Sequence, residues 1–303
     1  MQHKYNRGYT LKRFWFYAVF SLYVNVISLT CLHAGNIPGE YPTRIYPTSW
    51  IGSIPAISTS APDQSTFEFQ SFLRQQTGIF RNIYQAYYKA NYSLKSATTS
   101  LYGNIEREGD FISRNRMYGN YTIYIPLSKK LKFGAGISGG LINFSMNTES
   151  QSINVNKTAI DANCGVSITS DKWFVQASID QIPQRNIKSI SSTFTYKTYY
   201  QALSRFNIVS NNRFELKGIS HLLLYTDQKS EFLVGIYAAY KKTLWFGTGY
   251  NTNNRYLFMI NYQWRYEQKH EINMMVGLES GSFHGIYRSS VLQAGVTYHF
   301  NNK

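Results

Sequence analysis

EFLVGIYAAY at 231–240, RYLFMINYQWRY at 255–266, HEINMMVGLE at 270–279 and VLQAGVTYHF at 291–300 repeat a single pattern. Phe232, Val234, Ile236, Ala238 and Tyr240 alternate with smaller or polar neighbours. Tyr256, Phe258, Ile260, Tyr262 and Trp264 do the same, and so do Ile272, Met274, Val276 and Leu278. A period of two is the signature of a strand, because successive side chains point to opposite faces. A soluble sandwich turns its apolar faces inward and charges the outer ones. Here the polar faces are mostly Gly, Ser, Asn and Gln, and the apolar faces are rich in Tyr, Trp and Phe. That is the pattern of an all-β transmembrane antiparallel barrel of the bacterial outer membrane.

Composition agrees. Aromatic residues make up 17% of the 303 residues and include 26 Tyr, while the mean hydropathy is only −0.32. Lipid-facing alternate residues give such values, and a bundle of apolar helices does not. The net charge of +15 raises the question of nucleic acid, but the Lys and Arg are scattered. Many sit at strand ends, as Lys129, Lys130, Lys132, Lys241 and Lys242 do, where they meet lipid phosphates or reach to the interface. No nucleic-acid partner is expected.

Lys4, Arg7, Lys12 and Arg13 precede a largely apolar run from Phe14 to Leu32, with small residues at Ala34 and Gly35. Residues 1–35 therefore read as a signal peptide removed on export, the competing reading being a retained anchor. Cys164 is then the only cysteine of the mature chain, so no intrachain disulfide is expected. Pro38, Pro42, Pro47, Pro55 and Pro62 mark 36–65 as a periplasmic or plug-like lead-in, because proline cannot donate to a ladder.

The barrel occupies 66–303. Its strands are expected at 66–75, 80–94, 97–106, 113–125, 130–143, 158–169, 172–181, 193–208, 213–226, 229–241, 243–250, 255–266, 269–279 and 288–300. That makes about 14, an even number. Alternation predicts that Tyr88, Trp173, Phe258 and Ile272 face lipid and that Asp161, Gln176, Asn261 and Glu271 face the lumen. With periplasmic termini, the long gaps at 144–157 and 182–192 face outward. Asn147, Glu149, Asn154, Gln184, Arg185 and Lys188 in them are the candidate partner-binding residues.

Motifs for chemistry are weak. Gly134, Gly136 and Gly139 match dinucleotide-binding spacing, but Leu131, Phe133, Ala135 and Ile137 alternate straight through, so they read as small residues on an inward face. His270-Glu271 lacks a second His four residues on. Glu106, Glu108 and Asp110 read as a solvated loop. No catalytic residue, cofactor or metal is expected.

Arg74-Gln75-Gln76-Thr77-Gly78 resembles the Arg-x-Gln-Trp-x-Gly segment of the PorP/SprF family of type IX secretion membrane proteins, with Gln76 in place of the Trp. Asp161–Gly165 followed by Asp171–Ser178 is similar to that family's paired strands, and Leu244–Tyr250 resembles its late strand. The resemblance implies a noncatalytic outer-membrane component of a Bacteroidetes-type bacterium. Some members of the family serve secretion and gliding-motility machinery, and others export or retain a large surface adhesin. Its implied partners are outer-membrane lipid, periplasmic and outer-membrane secretion subunits, and a secreted surface protein. A porin or channel for small solutes or hydrophobic ligands is the alternative.

Overall fold

The computed structural model describes residues 66–77, 82–94, 96–108, 112–148, 153–182, 185–188, 193–196, 198–225, 230–252, 255–266, 269–283 and 287–301. The expected signal peptide and Pro-rich lead-in lie outside them.

Sixteen strands follow one another, and no helix occurs among the described residues. They are β1 (Thr66–Thr77), β2 (Asn82–Ser93), β3 (Ala97–Glu108), β4 (Ile112–Ser128), β5 (Leu131–Thr148), β6 (Ile153–Ser170), β7 (Trp173–Asp180), β8 (Arg185–Lys188) and β9 (Thr193–Tyr196). The rest are β10 (Tyr199–Ser210), β11 (Phe214–Tyr225), β12 (Glu231–Tyr240), β13 (Leu244–Asn251), β14 (Arg255–Tyr266), β15 (His270–Phe283) and β16 (Tyr287–Asn301). All but β8 and β9 form one closed antiparallel barrel of 14 strands, sealed where β1 pairs with β16 from Thr66↔Asn301 to Thr77↔Ser290. Closure matters physically: every wall strand has a partner on both sides, so no backbone edge is left in hydrocarbon. Proline is confined accordingly, with Pro126 next to the register shift near the end of β4.

Three expectations need correction. The strand foreseen at 193–208 is two elements, since Thr193–Tyr196 pairs with Arg185–Lys188 in a separate hairpin and the wall resumes at Tyr199. Apolar alternation runs on through both elements, so period alone does not part them. Glu106 is not in a loop. It lies in β3, buried on the inward face, and accepts a hydrogen bond from Arg114. Gly139 faces outward with open space around it, whereas Gly134 faces inward against Tyr124 and Ser167. The spacing of three from Gly136 to Gly139 changes face in a period-two strand.

Candidate functional site: a raised rim above a polar lumen wall

The two ends of the barrel differ. At the end that carries both Thr66 and Asn301, the gaps between strands are 94–96, 129–130, 171–172, 211–213, 241–243 and 267–269, none longer than three residues. Local hydrogen bonds shape these turns. Asn211 Oδ1 accepts from the N–H groups of Arg213 (2.9 Å) and Phe214 (2.7 Å), and Ser170 Oγ accepts from Trp173 N–H at 3.1 Å. Lys241 and Lys242 take φ of 51° and 55°, a left-handed pair closed by Thr243 N–H donating to Tyr240 O at 3.0 Å.

At the opposite end the wall is uneven. β5 and β6 are each 18 residues long and stay paired to Thr148↔Ile153, while β7 next to them has only eight residues. The segment foreseen as a loop at 144–157 is thus mostly a projecting hairpin, in which Asn147 and Asn154 stand directly opposite each other. Beside it, the connection from β7 to β10 covers 181–198 and contains the β8–β9 hairpin, with Arg185 opposite Tyr196 and Lys188 opposite Thr193. Glu149 and Gln184 lie outside the described residues.

On the inward face, an aromatic ladder crosses four strands. Ring centroids step from Phe72 to Tyr87 (6.1 Å), to Tyr102 (6.2 Å), and to Tyr118 (4.7 Å, stacked). Tyr118 Oη then donates to Asp161, two strands away. Gly140 stands between them in register, Tyr118↔Gly140↔Asp161, and makes that reach possible. A Cβ there would lie 2.6 Å from the Tyr118 ring and 2.1 Å from the Met117 carbonyl oxygen. At the other end of the ladder the Phe72 ring lies over Gly295, where a Cβ would come within 2.0 Å.

Ion pairs flank the ladder. Glu279 on β15 lies 3.1 Å from Arg255 Nη1 on β14 and 3.6 Å from Arg74 Nη2 on β1, reaching across β16 and the closing seam. Glu68 accepts from Asn91 at 2.7 Å and meets His299 Nδ1 at 3.0 Å. Ser178 Oγ donates to Asp180 at 2.6 Å, and His221 Nε2 meets Gln201 at 3.1 Å. The serine's proton therefore points to a carboxylate rather than an imidazole, which is not a nucleophile arrangement. These contacts pair many of the buried polar groups along the wall, although Asn91 Oδ1 and Asp180 Oδ1 are buried without a hydrogen-bond partner.

Asp161, Gln176 and Asn261 sit buried on this inward face. Glu271 shares the inward face of its strand and accepts from Arg265 Nε (3.1 Å) and Asn273 Nδ2 (3.0 Å). Tyr88, Trp173, Phe258 and Ile272 alternate to the outward face, Phe258 being 58% exposed and the other three half-buried among their neighbours. The ladder tyrosines were not foreseen as lumen groups. The signal at the ladder's two ends is a glycine in register, Gly295 opposite Phe72 and Gly140 opposite Tyr118, which appears only once register is known.

The outward face is apolar from Leu131 to Leu141 along β5, apart from Gly139. Ten residue steps at about 3.3 Å, tilted by about 40°, span about 25 Å, the height of a transmembrane apolar band. Above it the face turns polar: Asn143 Nδ2 donates to Asn156 Oδ1 at 2.9 Å and to Thr158 Oγ1 at 3.1 Å. Among the described residues no group of three or more His, Cys, Asp and Glu stands together to hold a metal.

The sequence model of the family described as "Type IX secretion system membrane protein PorP/SprF" matches residues 55–301. No curated protein matches the chain. Among solved structures, the Pseudomonas putida toluene transporter TodX superposes with a TM-score of 0.54 at 11% identity, over 89% of this chain and 96% of that one. The Ralstonia pickettii toluene transporter TbuX gives 0.55 at 9% identity, over 82% and 92%. At such identities the likeness is one of fold, that of an outer-membrane barrel; together with the family match it places the chain in the bacterial outer membrane.

Proposed function

Because the chain belongs to the PorP/SprF family of type IX secretion system membrane proteins, we propose that it acts as a noncatalytic docking barrel. In this reading it holds an exported surface protein at its raised rim and secretion subunits at its short-turn end. The observation that carries the proposal is the asymmetry of the two ends: gaps of three residues at most on one side, and two 18-residue strands beside an eight-residue one on the other. Outer-membrane barrels keep short turns on the periplasmic side and build outward on the other. Outward surfaces held on a rigid wall are where partners are engaged. The short-turn end, and the lead-in 36–65 that precedes Thr66 in the sequence, meet the periplasmic subunits. Residues 1–35 direct export.

The second reading is a channel for small solutes or hydrophobic ligands. Purified barrel in a planar bilayer separates the two. Docking predicts no steady open conductance, together with co-isolation of secretion subunits from native outer membrane. A stable ohmic conductance without such partners would favour the channel.

A further inference from the structure

β6 pairs with β5 over its whole length, but with β7 only from Cys164 to Thr169. The last contact above that is Ile182 N–H donating to Ala162 O at 3.0 Å. There Gln181 takes a φ of 56°, its N–H bonds to Asn163 Oδ1 at 2.9 Å, and the chain turns away. From Ile153 to Asp161 the side of β6 that faced β7 has no partner strand among the described residues. The nearby β8–β9 hairpin pairs only within itself.

The Ala162 bond fixes which groups are left over. In an antiparallel strand the N–H and C=O of one residue point the same way, and alternate residues point to opposite partners. The β5–β6 register has no shift, so Asn154, Asn156, Thr158 and Ile160 all turn both main-chain groups toward the uncovered side. Proteins usually blunt such an edge by proline, a bulge or brevity. This stretch, INVNKTAID, has no proline, no bulge and nine residues, with Lys157 its one basic residue.

We propose that this edge takes up an extended strand of the exported surface protein, completing the wall above β7 by main-chain hydrogen bonding. The inference rests on the docking function proposed above. The edge lies at the end away from the chain's termini; it starts at the top of the apolar band, where Ile160 pairs with Leu141, and runs outward through the polar level of Asn143, Asn156 and Thr158. That position offers it to an exported chain rather than to a periplasmic subunit or to lipid. Its foot is apolar, since Ile160 is 65% exposed beside Leu141. Just below, the outward face of β4–β7, β10 and β11 holds an apolar depression of about 720 Å³, lined by Ile137, Cys164, Ala177, Ile179 and Tyr200 among others. The occupant is thus an extended segment with polar residues toward Asn154–Thr158 and an apolar residue at the membrane end. Strand addition of this kind draws affinity from the backbone and specificity from alternate side chains.

The test separates backbone from side chain. Asn156→Pro with Thr158→Pro removes two donors from the free edge and none from the β5 ladder, so the barrel still folds. Co-isolation of the exported surface protein from native membranes is expected to fall about tenfold or more. Asn156→Ala with Thr158→Ala keeps the backbone and is expected to retain it. Retention by the proline variant, or equal loss in the alanine variant, would overturn strand addition while leaving docking intact. A photo-crosslinking residue at position 158 identifies the occupant: an adduct with the exported protein supports the proposal, and an adduct only with a second barrel or with residues 183–197 of the same chain overturns it. If wild-type barrel holds no exported protein at all, the docking function itself fails, and this proposal with it.

Discussion

Replacing Glu279 by alanine should cost the folded barrel about 3 to 5 kcal/mol, the usual penalty for removing one partner of a buried ion cluster. Glu279 joins Arg74 and Arg255, and all three side chains are at most 5% exposed. Its position raises the stakes. Arg74 belongs to β1 and Arg255 to β14, so one carboxylate ties the first strand to the penultimate pair across the seam that closes the barrel. Taking it away leaves two positive groups on the inward wall without the charge that draws them together. Glu279→Gln keeps the volume and one acceptor, and should lose less. Urea titration of the barrel in liposomes, followed by heat-modifiable gel migration, measures both. A midpoint for Glu279→Ala equal to that of wild type would mean that the backbone ladder alone holds the seam.

Ile260→Arg should cost about 2 to 4 kcal/mol, because it puts a guanidinium on the lipid face near mid-membrane. Ile260 is centrally placed in β14, between Phe246 on β13 and Val276 on β15. Tyr256→Arg makes the same change one residue inside the strand's outer end and should cost about 1 kcal/mol or less, since the penalty falls toward the interface. Equal losses at the two positions would contradict the depth assignment. No loss at either would contradict a lipid-facing wall.

Much of the wall was legible in the sequence because period two is a local property. Phe232 to Tyr240 or Ile160 to Ile168 declare their two faces without help from the rest of the chain. Which face is inside is less local. Tyrosine suits lipid interface and packed lumen alike, so Tyr87, Tyr102 and Tyr118 carried no mark that they form an inward ladder. Gly140 and Gly295, which receive the ladder's end rings, lie far away or on a partner strand whose register the sequence does not state. The same limit hid Glu106, whose partner Arg114 lies across a hairpin. The rim was misjudged for another reason. Polar residues such as Asn147, Asn154 and Asn156 look like loop, yet cross-strand pairing carries β5 and β6 well above the apolar band.

The docking claim is tested most directly by trimming the rim in cells of the native bacterium. Residues 147–154 and 183–197 are each replaced by a tight turn, and the exported surface protein is then quantified on intact cells. Heat-modifiable migration establishes that the trimmed barrel is folded and inserted. The account predicts a normal amount of folded barrel with surface display abolished. Undiminished display above a folded, trimmed barrel would contradict it.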